Sequence, residues 1–262
     1  FTAVIFYFYA SSLPNIYTST SILKVDFSID SQSRTSSSGA GLFSSIPVFG
    51  SSNDRDTLEL VKRLSTFTFY EDLIKDNNLE VTLGAVSSVD TLTGTFFYDD
   101  NLYEIEKNKW VVRKNGNRAI SKQGVYRRFY KNRLNINIEK DSGLVEISFS
   151  HPSPNFSSNF IYDIVDKLNL IVGDEKVAQT QSRIDYINEK LETSNKEQVK
   201  FFLNKMLEDE YKSLLLFAPE NNKPLKFLDY PLVPEAPSSP KKIIYAMIGF
   251  FFGLFLYLTY LT

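Results

Sequence analysis

From Phe156 to Phe217 the chain runs without a proline and with a single glycine, Gly173. Proline and glycine are the residues that weaken or end helices, so a stretch this long without them has few places to break. Apolar residues recur in it at helical spacing: Phe160, Ile164, Leu168 and Ile171, then Val177, Ile184, Ile187, Leu191, Val199, Phe202 and Met206. With Thr180 and Ser194 filling two gaps, the steps from Val177 to Ser194 alternate three and four residues, as in a coiled-coil seam. The next step, from Ser194 to Val199, is five residues and interrupts the seam. A continuous helix over 156–217 would be about 90 Å long, more than a compact domain of this size needs. It is therefore expected to protrude, and the seam through Val177, Ile184, Ile187, Leu191, Val199, Phe202 and Met206 then needs a partner. Another helix of the chain or neighbouring copies would serve, giving a homo-oligomer in the second case. A break at Gly173 would instead leave two ordinary helices.

The two ends are apolar. Ile243–Thr262 is 20 residues without a charge, enough helix for about 30 Å of hydrocarbon, and is expected to be a transmembrane helix. Within it Ala246, Gly249 and Gly253 put small residues on one face, where a second helix could pack closely. Phe1–Leu13 is apolar but only 13 residues long. It is expected to be the end of a first transmembrane helix, stopped by Pro14; a signal-peptide core cleaved near Ala10-Ser11-Ser12 is the rival. Lys241 and Lys242 would then lie outside, against a positive-inside tendency that is weak for long translocated segments.

Between the ends, 14–155 reads as an α/β base domain. Ile16–Ile29 alternates as a strand, and 31–53 is a Ser/Gly-rich loop. A helix opened by Asp54 or Asp56 is expected to reach Asp76, with strands at Thr93–Tyr98 and Trp110–Val112. A hairpin is expected from Leu134–Ile138 and Leu144–Phe149 around Asp141-Ser142-Gly143. The stretch 113–133 is basic and interleaved with Tyr126, Phe129 and Tyr130. Its Arg113, Arg118, Arg127, Arg128 and Arg133 could touch an acidic glycan or a lipid phosphate, or could simply form a solvated face. A return segment, 218–242, ends in Pro231, Pro234, Pro237 and Pro240, spaced every three residues like a polyproline II strut.

Several chemistries are excluded or left short of residues. There is no cysteine, hence no disulfide framework, iron–sulfur cluster or thiolate zinc site, and His151 is the only histidine. A net charge of −2 gives no reason to expect nucleic acid, which usually calls for a basic face. No GxxxxGK[ST] phosphate loop occurs. Glu189, Glu192 and Glu197 fall off the apolar seam and read as solvated positions. No catalytic residue, cofactor or metal is expected, and the chain does not read as an enzyme.

The order of these parts resembles one family. Leu13-Pro14-Asn15-Ile16-Tyr17 leads into a strand, a Gly/Ser/Leu-rich segment resembles Gly39–Gly50, and a helix resembles Asp56–Ile74. His151-Pro152-Ser153-Pro154 opens the long helix, and Pro231, Pro234, Pro237, Pro240, Lys241 and Lys242 close the segment. Together they are similar to the chain-length determinants, or polysaccharide co-polymerases (Wzz type), of O-antigen, capsule and exopolysaccharide synthesis. The resemblance covers nearly the whole chain and is least clear over 83–133. It implies an α+β membrane-anchored fold, with two transmembrane helices flanking an extracytoplasmic α/β base and a very long protruding helix. It also implies a ring-like homo-oligomer on the bacterial inner membrane, its bulk periplasmic, with no catalytic residue of its own. Partners implied are membrane lipid, a Wzy-type polymerase and the growing lipid-linked glycan. Two alternatives stay open: the membrane half of an exopolysaccharide-export tyrosine autokinase, and a periplasmic coiled-coil adaptor of an export channel.

Overall fold

The structure, a computed structural model, describes residues 2–25, 53–77, 79–90, 93–111, 120–139, 142–216 and 223–261. The first half of the chain forms α1 (Thr2–Ser12), β1 (Tyr17–Val25), α2 (Asn53–Leu64), α3 (Phe67–Asn77) and α4 (Leu79–Ala85). Short strands β2 (Val86–Val89), β3 (Phe96–Tyr98), β4 (Tyr103–Glu104) and β5 (Lys109–Trp110) follow. Next come α5 (Lys122–Val125), a π-helical turn (Tyr126–Tyr130) and α6 (Lys131–Arg133). The second half is β6 (Leu134–Ile138), β7 (Val145–His151), α7 (Pro154–Thr193), α8 (Glu197–Leu216), β8 (Leu225–Asp229) and α9 (Lys242–Leu261).

The main sheet has the order β6-β7-β1-β8, antiparallel throughout. Period-two alternation decides which side of β1 faces inward: Tyr17, Ser19, Ser21 and Leu23 are buried and the residues between them are not. In β7 the same rule buries Val145, Ile147, Phe149 and His151. The β6–β7 hairpin turns at Gly143, whose φ of +67° suits a residue without a Cβ. Against the inner face lies the first half of α7, which buries Phe160, Ile161, Ile164, Val165 and Leu168. Leu60, Leu64, Tyr70, Leu73 and Leu83 from α2, α3 and α4 close the core from the other side.

The long helix begins as its sequence dictates. Ser153 caps it, its hydroxyl accepting from the Phe156 N–H at 3.2 Å, and Pro154 occupies the first turn, where no N–H is needed. Its 40 residues make about 60 Å of helix. It stops at Thr193, so the single helix expected over 156–217 is two. The break lies at Ser194 and not at Gly173, which passes through unbroken helix with nothing within 4 Å of its missing Cβ. Ser194 is extended (φ −84°, ψ 130°), at the point where the five-residue step had shifted the seam off its stripe. A turn there lets α8 fold back against α7, with Arg183 and Glu210 paired at 3.1 Å across the hairpin. The helix expected from Asp54 or Asp56 to Asp76 is likewise two, α2 and α3, separated at Ser65-Thr66. The Thr66 hydroxyl accepts from the Phe69 N–H at 3.2 Å and restarts it.

The membrane-spanning part of the expected fold class is overturned. Among the described residues no helix is long and apolar enough to cross a membrane. α1, expected within 1–13, has 11 residues; that is about 16 Å of helix, half of a hydrocarbon core. α9, expected over 243–262, covers Lys242–Leu261, and its described residues do not make a span. The two helices also spend apolar surface on each other: Phe6 and Phe252 have ring centroids 6.2 Å apart, and the Thr2 hydroxyl donates to the Gly249 carbonyl at 2.7 Å.

Candidate functional site

Three places carry the residues singled out by sequence. The first is the junction between the two chain ends and the sheet. A proline-rich strand has carbonyls to satisfy but few N–H groups to offer, so hydroxyl donors must hold it. The sequence supplies them at the buried small positions of β1 and α7. Ser21 donates to the Asp229 carbonyl at 2.6 Å, Ser19 to the Leu232 carbonyl at 2.8 Å, and Ser158 to the Pro231 carbonyl at 2.8 Å. Further along, Ile16 and Ser239 exchange backbone bonds, and Thr18 and Ser238 share a hydroxyl bond of 2.7 Å. Pro231 is buried, Pro234 and Pro240 are half-buried, and Pro237 is exposed; the peptide before Pro240 is cis. Pro14 is exposed after α1, while Tyr17 is buried opposite His151. The strut thus runs along the sheet and delivers α9 beside α1. Gly249 is buried there, and a Cβ on it would meet Phe6 and the Thr2 carbonyl at 2.8–2.9 Å. Gly253 faces the Thr2 side chain, and Ala246 is half-buried.

The second place is the α7–α8 hairpin. Ile184 and Ile187 are buried within it, and Val177 and Leu191 are half-buried. Val199, Phe202 and Met206 point the other way: they are exposed, with Phe202 at 52% and its neighbour Phe201 at 75%. One seam in sequence is therefore two surfaces in space, an inner half used by the hairpin and an outer half left open.

The third place is the basic and aromatic stretch. Ser121 caps α5 by accepting from the Gly124 N–H at 3.2 Å, and the π turn then widens the helix by one residue. That register stacks Tyr126 on Tyr130 at 5.9 Å and buries Val125, Phe129 and Tyr130. The Tyr130 hydroxyl donates to the Leu64 carbonyl at 2.8 Å and Tyr126 donates to that of Ser65, closing the end of α2. Arg127, Arg128 and Lys131 are left exposed. Arg133 is not: it lies on the Phe129 ring, 5.0 Å from its centroid, and burial pulls its guanidinium down to a pKa of about 10. Arg128 sits over the same ring at 5.8 Å. Arg113 and Arg118 lie outside the described residues.

His151 joins these regions. It is fully buried, with Nδ1 accepting from the Ser153 N–H at 3.0 Å and Nε2 placed 3.0 Å from the Thr82 carbonyl, to which it donates. Burial, with help from the nearby Arg133 charge, lowers its pKa to about 3. A neutral ring locked by two backbone groups is a structural tie between β7, α4 and the start of α7. Sequence reading recognised its turn but not its burial, nor the three serines of the strut. The signal for the serines was present: Ser19 and Ser21 occupy inward positions of an alternating strand, where a hydroxyl needs an acceptor.

Among solved structures, this chain is similar to a fragment of WzzB, a polysaccharide co-polymerase from Salmonella Typhimurium, at 10% identity and a TM-score of 0.40. That likeness covers 86% of this chain and 100% of the other. A full-length bacterial polysaccharide co-polymerase is similar at 13% identity and a TM-score of 0.34, over 98% of this chain and 92% of the other. Both names fall in the family that the order of sequence motifs resembles; at such TM-scores the likeness itself carries no argument. No family model and no curated protein matches the chain.

Proposed function

We propose that this chain is a non-enzymatic regulator of polysaccharide chain length, working as a self-associated scaffold beside a Wzy-type polymerase on the periplasmic face of the bacterial inner membrane. The reading rests on one arrangement. The Leu13–Tyr17 segment and the proline strut are bound to each other at Ile16 and Ser239, and they set α1 and α9 side by side. From His151-Pro152-Ser153-Pro154 the same sheet leads into α7, about 60 Å long, whose outer half pairs with the 20 residues of α8 in a hairpin about 30 Å long. These are the motifs whose order resembles the chain-length determinants, brought together in space. The apolar outer faces of α1 and α9, with Phe8, Phe251 and Phe255 more than half exposed, lie against lipid in this reading. The outer stripe of α8, Val199, Phe202 and Met206, lies against a sister copy, and the hairpin offers the growing lipid-linked glycan and its polymerase an extended surface. Deleting the gene tests the role: the distribution of polysaccharide lengths is expected to lose its preferred size. An unaltered distribution rules the role out.

A further inference from the structure

We propose that the guanidinium groups of Arg128 and Arg133, gathered around the Phe129 ring, form a binding site for a phosphate or pyrophosphate group. The inference stands on this corner's geometry and does not rest on the chain-length reading.

Two cations on one ring repel each other, and among the described residues no ion pair neutralises either. Their guanidinium carbons lie 5.8 and 5.0 Å from the Phe129 centroid. Among the described residues neither meets a carboxylate, although the chain has more acidic than basic side chains, 31 against 29. Two other arginines are paired across elements, Arg63 with Glu175 at 2.6 Å and Arg183 with Glu210 at 3.1 Å. Arg133 carries five N–H donors, and its one hydrogen bond is a long one, 3.5 Å to the Leu83 carbonyl. That carbonyl is in the last turn of α4, where a cation is welcome, which accounts for the position of one N–H and leaves the rest. A partly desolvated guanidinium without a counter-ion is costly, and the fall of its pKa to about 10 reports the same penalty.

The ligand class follows from shape and charge. A guanidinium fork suits two oxygens of a tetrahedral oxyanion, and two forks suit a group with three or more acceptors and about two charges. A carboxylate offers two oxygens and one charge. Arg128 is exposed, so the corner is open to solvent on its side, and the buried Phe129 ring gives both guanidinium groups a fixed neighbour. Two sources carry such a group, a free phosphate compound and a lipid headgroup, and the arms of the test separate them.

The full chain is titrated with inorganic pyrophosphate by calorimetry at low salt, and is sedimented with phosphatidylcholine vesicles containing phosphatidic acid or lacking it. Saturable binding is expected in at least one arm: to pyrophosphate if the source is soluble, to the phosphatidic acid vesicles alone if it is a headgroup. Arg128→Gln and Arg133→Lys are expected to weaken binding about ten-fold or more, the second by keeping the charge and losing the fork. Arg127→Gln, exposed next door but not on the ring, is expected to change it little. Because Arg128 is exposed, its variant keeps the fold even if the Arg133 variant does not. Absence of saturable binding in both arms overturns the proposal. So does an equal loss in Arg127→Gln and Arg128→Gln, which would mean diffuse surface charge.

Discussion

His151 should make this protein acid-labile in a window set by its burial. In the fold its pKa is about 3, against about 6.5 in the unfolded chain. Above pH 6.5 the ring is neutral in both states and titration contributes nothing. Below it the unfolded state binds a proton that the fold excludes, so stability falls with falling pH until about pH 3. Each pH unit in that window costs about 1.4 kcal/mol, hence about 2 kcal/mol at pH 5. The assay is urea unfolding at several pH values between 7 and 5, followed by fluorescence of Trp110, the only tryptophan. His151 is the only histidine, and because burial also raises the Glu80 and Asp163 carboxyls, the slope is read against that of a variant lacking the ring. His151→Gln removes the titration and is expected to flatten the slope, whatever it does to stability at pH 7. Parallel slopes in the two proteins would refute the claim that the ring is held neutral between Ser153 and Thr82.

The strut and the helices give further expectations. Ser158→Ala leaves the Pro231 carbonyl without its donor in a buried setting and should cost about 1–3 kcal/mol, read as a lower urea midpoint. Gly249→Leu forces Phe6 and the Thr2 backbone away and should lower Tm through an over-packing cost of about 1–3 kcal/mol. Gly173→Ala meets nothing within 4 Å and should raise stability by up to about 1 kcal/mol in the same thermal melts. Phe202→Ser, on the outer stripe of α8, should reduce the mass of the complex measured by light scattering and lower the melt only by the stabilisation that self-association supplied. A complex of unaltered mass removes that stripe from the self-association surface.

What the sequence made legible was set by how local each cause is. The hairpin β6–β7 and its turn at Gly143 were readable because alternation and a left-handed glycine act over a few residues. The start of the long helix was readable for the same reason, through Ser153 and Pro154. α4 and the π turn were not, because their order comes from distant partners: Tyr130 bonds to Leu64, 66 residues away, and Tyr126 to Ser65. The basic stretch looked like a solvated face since its charges are evenly spread. Only the π register sorts them, sending Arg127 and Arg128 out and tucking Arg133 against Phe129.

The most instructive departure is the seam. Seven apolar positions in rough heptad order read as one rod, and the five-residue step at Ser194 read as a flaw in it. A step of five rotates a helix by about 140° beyond one full turn, so residues after it cannot share a face with those before it. Ending the helix at that point resolves the conflict, because the reversed α8 can then choose which face meets α7. It presents Leu203, Leu207 and Ser213 inward, half-buried or buried, and leaves Val199, Phe202 and Met206 outside. The misfit in sequence was therefore the turn itself, and the apolar residues stranded beyond it mark a surface left without a partner among the described residues.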